Sequence, residues 1–174
     1  MRRPMRRVIA ALTMALGVLA SSLVSGDVYQ EPDAFIAEIF GSSIPPKVLW
    51  LTKELEKEAE AILGHPPMQL RQPYWSDGRK DVWILEEVGK EELITAGFVV
   101  VNGRIDHVRV LVYRESRGQE VREPAFLKQF GNAGLAQSNR LDRNIDGIAG
   151  ATLSVGAMER MARLALYFDR ESRR

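Results

Sequence analysis

Apolar and polar positions alternate with several different rhythms along this chain. The first is a basic flank, "MRRPMRR", then an uncharged apolar run from Val8 to Val24, then the small-residue close "SSLVSG". Those three parts predict a secretory signal peptide over residues 1–26, cut after Gly26. The apolar run also sits near the lower length limit for a membrane span, so an uncleaved N-terminal anchor is the alternative. Either way, a single domain over 27–174 is expected outside the cytoplasm, in the periplasm or another extracytoplasmic space.

Helical periodicity follows. "EPDAFIAEIFG" predicts a short helix with Asp33 as its cap. "SIPPKVLWLTKELEKEAEAILGHPP" predicts a longer one that opens on proline. Its apolar stripe is Val48, Leu51, Leu55, Ala59 and Ile62, and its stop is Gly64 with Pro66-Pro67. Trp75 lies in the turn-like "QPYWSDG". The rhythm then becomes that of strands: "DVWILEEVG", and "ELITAGFVVV" joined to "RIDHVRVLVY" by Asn102-Gly103. Asn-Gly is the commonest two-residue hairpin loop because both positions tolerate positive φ. Counting outward from it pairs Val100 with Ile105 and Phe98 with His107, which puts His107 beside an aromatic ring on a sheet face. "EPAFLKQFG" predicts a short helix opened by Pro124, and a polar loop leads to the last helix. One antiparallel hairpin without βαβ alternation predicts an α+β fold, an antiparallel β-sheet with packed helices.

On a wheel at about 100° per residue the last helix is lopsided. Glu159, Arg160, Arg163, Tyr167 and Arg170 share one arc. Val155, Ala157, Met158, Met161, Ala162, Leu164, Ala165 and Phe168 fill most of the rest, which predicts a largely buried helix. Its start is "GATLS", Gly150 to Ser154. Free backbone N–H groups and the positive end of the dipole make such a start suited to phosphate. Gly150 and Ala151 let a bulky group come close to the backbone. The plainer reading is an N-cap turn in which Thr152 or Ser154 satisfies helix N–H groups.

Composition narrows the chemistry. With 24 Lys and Arg against 23 Asp and Glu, no basic excess marks a nucleic-acid binder, and no nucleic-acid partner is expected. Without cysteine the chain has no thiol catalysis and no Cys-ligated cluster, and two histidines make a multi-His metal site an unfavoured reading. His65, in "GHPP", reads as a loop residue and His107 as structural. No residue is assigned a catalytic role.

The stretch from Asp146 to Ser154, "DGIAGATLS", resembles the flavinylation motif of the FMN-binding domain family. That family includes the C subunit of the sodium-translocating NADH:quinone reductase and the G subunit of the Rnf complex. Its pattern is approximately Asp-x-x-Ser/Thr-Gly-Ala-Thr-x-Ser/Thr. Asp146, Gly150, Ala151, Thr152 and Ser154 match, and Ala149 departs from it. The resemblance runs from about Leu93 to Phe168, and "ESRGQEVREPAFLKQF" looks like the loop of small secreted members. It implies FMN held by a phosphoester on Thr152, with Leu153 and the rest of the motif at the cofactor. A separate flavin transferase would attach it, moving FMN from FAD and releasing AMP. Redox partner proteins at the membrane are implied as well. Glu115, Arg117, Glu120 and Phe126 lie in the segment that would border the flavin, and Trp75 is a candidate to stack on it.

These readings combine into an extracytoplasmic flavoprotein that carries electrons through FMN on Thr152. Two others compete. One is a binding or adaptor module of the same fold without flavin, for which the Ala149 departure speaks. The other is a hydrolase using Thr152 or Ser154 as nucleophile, which the motif leaves without an adjacent base.

Overall fold

A computed structural model describes residues 26–174. The signal peptide or anchor therefore lies outside the described residues, apart from Gly26. Among the described residues no helix is long and apolar enough to cross a membrane. Ten elements follow in order: β1 (Asp27–Val28), α1 (Pro32–Phe40), β2 (Lys47–Trp50), α2 (Lys53–Leu63), β3 (Arg71–Ser76), β4 (Lys80–Val88), β5 (Leu93–Val101), β6 (Arg104–Tyr113), α3 (Pro124–Leu127) and α4 (Thr152–Ser172). The six strands form one antiparallel sheet in the order β1-β6-β5-β4-β3-β2. With helices packed on it, the fold is α+β as expected.

The hairpin forms where Asn102-Gly103 predicts it, with φ of 51° and 71°. Val100 pairs with Ile105, but a β-bulge between Val99 and Val100 shifts the register beyond that point. Val99 faces His107 and Phe98 faces Val108, because the bulge inserts Asp106 as an extra residue. His107 meets a different ring, packing edge-on to Phe35 of α1 at 6.1 Å.

The long helix expected from Pro45 begins only at Lys53. Val48 lies in β2, which pairs with β3, and Leu51 falls in the connection. Thr52 decides the boundary: it is the N-cap, and its Oγ1 accepts from Leu55 N–H at 3.4 Å. In α1, Asp33 lies in the first turn instead of capping; Glu31 is the N-cap and Pro32 follows it. Trp75 belongs to β3 and packs against the smaller apolar cluster under α1, so it is a packing residue remote from the last helix's start.

The two sheet faces are unequal. α1 covers one with Phe35 and Ile36 over Val82, Val99 and Leu111. The ring of Phe35 needs Gly97 beneath it, since a Cβ there would come within 2.3 Å of Cε1. The larger core lies on the other face, where Met158, Met161, Ala162, Ala165 and Phe168 of α4 meet Trp83, Leu85, Ala96 and Phe98. Tyr167, assigned to the polar arc, is buried under the Arg170 guanidinium, which stacks 5.2 Å from its ring.

The far end of α4 is pinned by two buried carboxylates sharing one cation. Arg173 reaches Asp81 of β4 at 2.6 Å and Asp169 at 3.3 Å. Asp169 is 1% exposed and Asp81 3%. Burial, then the hydrogen bond with Asp81, pushes the Asp169 carboxyl up from 3.8 to about 6, against the pull of Arg173. Tyr74 of β3 faces the same cluster. A raised carboxyl favours the protonated fold, so its contribution is full below pH 3.8 and lost as pH rises through about 6. Asp169→Asn removes that loss. It is expected to flatten this part of the stability–pH curve and to stabilise the protein at about pH 7.5 by roughly 1–3 kcal/mol. Urea melts across that range check it; an unchanged slope would refute the assignment.

Candidate functional site

At the other end of α4 the motif folds into a turn. Ala151 N–H donates to Ile148 O at 3.0 Å, and Gly150 takes φ 83°. That φ is the glycine position of a type II turn, and it leaves Ala149 on an exposed corner. Ala151 is the N-cap residue and is buried, and α4 starts at Thr152. No side chain caps the helix. The cap reading of Thr152 and Ser154 is therefore overturned. Thr152 is exposed at the first helical position, and Ser154 is turned inward.

Ser154 is only 4% exposed, and its Oγ lies 3.0 Å from the Tyr113 hydroxyl at the end of β6. Tyr113 also donates to the carbonyl of Arg117 at 2.6 Å. Burial raises the Tyr113 pKa above 10, outweighing the Ser154 contact, so the hydroxyl stays protonated. This bolt ties the loop after β6 to the first turn of α4. It closes because residue 118 is glycine: φ is 82°, and a Cβ would come 2.8 Å from Ser154 Oγ, 2.9 Å from Tyr113 OH and 3.3 Å from Ala151 Cβ. Each part of Gly-Ala-Thr then has its reason: positive φ at Gly150, a small buried contact at Ala151, and a free hydroxyl at Thr152. Gly118→Ala is expected to cost about 1–3 kcal/mol through strain and overpacking, and to slow any chemistry at Thr152. Denaturant melts read the first effect and timed intact-mass measurement the second.

The turn borders a cleft of about 590 Å³, within the range of small-molecule sites. It is lined by Gly150, Ala151, Thr152, Leu153 and Ser154, by Glu115, Ser116 and Arg117 after β6, and by Lys90 and Glu91 between β4 and β5. The Glu115 carboxylate serves the cleft's wall: its Oε1 accepts from the backbone N–H groups of Lys90, of Glu91 at 2.7 Å and of Glu92 at 3.0 Å. Burial would raise its pKa, but the three amides outweigh burial and hold it low.

Of the residues expected at a flavin, Glu115, Arg117 and Gly150 to Ser154 come together at the cleft. Asp146 does not line it; its side chain is exposed, and its N–H donates to Gln129 at 2.7 Å. Glu120 is exposed outside the cleft. Phe126 is buried in the core, edge-on to Phe130 at 5.5 Å. Lys90, Glu91, Tyr113 and Gly118 were not foreseen. Lys90 and Glu91 fall between two strand-like runs, and only the register of β4, β5 and β6 carries them to the motif.

Residues 89–167 match the family model of the FMN-binding domain. The chain carries an FMN-binding domain. Every residue lining the cleft falls inside that span, whereas α1, β2, α2 and β3 fall outside it. The match supports FMN as the cofactor and an FMN-binding flavoprotein as the coarse description of the chain. Comparison with curated proteins returns no match.

The residues present fit a phosphate-bearing flavin. Thr152, Leu153 and Ser154 are the first residues of α4, whose N–H groups have no acceptor within the helix. Lys90 and Arg117 bring positive charge to the same cleft, and Thr152 presents an exposed hydroxyl.

Proposed function

We propose that this FMN-binding domain holds its FMN covalently, through a phosphoester on Thr152, and serves as an extracytoplasmic electron carrier. The observation that carries this reading is the state of Thr152. Its hydroxyl caps nothing, faces solvent at a cleft of cofactor size, and stands on a turn fixed from behind by Tyr113 and Ser154.

No base in the motif activates Thr152, so attachment belongs to a separate transferase acting on FAD. The Thr152 oxygen attacks the phosphorus on the riboflavin side, the pyrophosphate bond breaks and AMP leaves. The hydroxyl proton passes to a base of the transferase. Bound FMN supplies the electron chemistry of its isoalloxazine ring. The chain's own part is retention and orientation. A tether makes rebinding intramolecular, which keeps the cofactor at an effective concentration on the order of millimolar where free flavin is dilute. The first-turn N–H groups with Lys90 and Arg117 balance the phosphate charge. Redox partners at the membrane would meet the open side of the cleft, and residues 1–26 would deliver or anchor the domain there.

The test is the intact mass of the protein co-expressed with a flavin transferase. The expected result is a gain of one FMN less one water. An unmodified mass, with the same transferase shown active on another substrate, would leave the domain as a non-covalent FMN binder or an adaptor.

A further inference from the structure

A concavity of about 850 Å³ is away from the motif and belongs to none of the functions above. It runs beside β6, and five consecutive residues of that strand, Asp106 to Val110, line it. Successive strand residues point to opposite faces, so a groove lined by all of them follows the strand's open edge and not one face. The opposite wall is the segment from Arg122 to Gly131.

Both ends of this edge already bond other backbone, a strand at one end and the turn at Asn132 at the other. β1 pairs with Val112 and Tyr113, and Tyr29 N–H donates to Leu111 O at 2.9 Å. At the other end, Asn132 N–H donates to Ile105 O at 2.7 Å and Ile105 N–H to Ala133 O at 2.8 Å. Between them about five residues, on the order of 17 Å of strand, have no strand partner among the described residues. An unpaired edge is a template for another strand.

We propose that this trough binds an extended acidic segment of a partner protein by strand addition to β6. The walls select a lone strand: the 122–131 segment would collide with the edge of a second folded sheet, which argues against a second copy of this chain. Charge selects the sign. Lys128 rims the trough as its cation without an ion pair among the described residues, and Arg122 stands beside it, stacked 4.4 Å over the Tyr29 ring and 3.8 Å from Glu123. The one lining acid, Asp106, is turned to His107 Nδ1 at 3.0 Å. Arg109 is already held by Gln30 and Glu38, so it shapes the floor and does not recruit. Leu127 and Tyr29 supply apolar contact for side chains of the incoming strand, while Val108 and Val110 are themselves buried in the larger core and offer only their backbone.

The test uses fluorescence anisotropy of the full chain with a labelled peptide of alternating Glu and Val. The comparisons are its Lys–Val counterpart and a Glu–Val peptide N-methylated at alternate residues. Saturable binding of the Glu–Val peptide is expected, with affinity at least about tenfold lower for either comparison peptide and for Arg122→Glu/Lys128→Glu. Thr152→Ala should bind as the parent does, which separates this proposal from the flavin reading. Absence of binding, equal binding of the Lys–Val peptide, or indifference to N-methylation would overturn it. So would self-association of the chain that the peptide competes away, since that would assign the edge to a second copy.

Discussion

Thr152→Ala is expected to fold and melt like the parent yet to gain no FMN when co-expressed with a flavin transferase. In most helices the residue at this place would be a cap, and its loss would cost about 1 kcal/mol. Here Ala151 holds the cap position, and the Thr152 side chain makes no capping bond. An exposed substitution without such a role stays within about 0.5 kcal/mol. Thr152→Ser keeps the hydroxyl and is expected to accept the cofactor. The pair separates attachment from stability, and Ser154→Ala is the contrast. It strips a buried partner from Tyr113, so it should cost about 1–3 kcal/mol while leaving the attachment oxygen in place. A flavin mass on the Thr152→Ala protein would move the attachment elsewhere. A large loss of stability in that variant would return Thr152 to a structural role.

Much of this arrangement is legible in the sequence because the physics is local. Asn102-Gly103 fixes the hairpin turn through backbone freedom alone, and the apolar periodicity of 155–168 announces the buried helix. Gly150 marks the turn that ends in Thr152. What escapes is set by tertiary contact. "KVLW" continues the apolar rhythm of a helix, yet Thr52 stops the helix and β3 offers Lys47–Trp50 a strand partner. The bulge at Asp106 slides His107 away from Phe98, and no residue pattern marks it. Lys90 and Glu91 stand far from the motif in sequence, and only the lengths of β5 and β6 carry them to the cleft. Ser154 looks exposed and polar; it is buried because Tyr113 and Gly118 leave a place for its hydroxyl.

The largest loss of stability is expected from Arg160→Met, and it should depend on pH. Glu87 of β4 is 1% exposed, and its Oε1 accepts from Arg160 of α4 at 2.8 and 3.0 Å. Its other cationic partner is His65, with Nε2 3.1 Å from both carboxylate oxygens and Nδ1 2.8 Å from Pro66 O. Both ring nitrogens face acceptors, which requires a proton on each. The hydrogen bond to Glu87, then that to Pro66, raises the His65 pKa above 6.5, against burial and the Arg160 charge. His65 therefore contributes fully below pH 6.5, and its contribution is lost as pH rises through the raised folded value. In the parent, Arg160 still balances Glu87 after that loss. In Arg160→Met nothing else does, and a buried carboxylate left without a cation costs about 3–5 kcal/mol. Denaturant melts should show most of that cost at about pH 8.5 and much less near pH 5.5, where His65 remains charged. Adding Glu87→Gln should restore much of the stability and remove the pH dependence, because the charge that needs balancing is gone. Equal losses at both pH values would show that His65 carries no share of the pairing. The same bond adds a polar tie to the apolar packing of α4 on the sheet, so the helix that presents Thr152 has such a tie at its start through Tyr113, near its centre through Glu87 and at its end through Asp81.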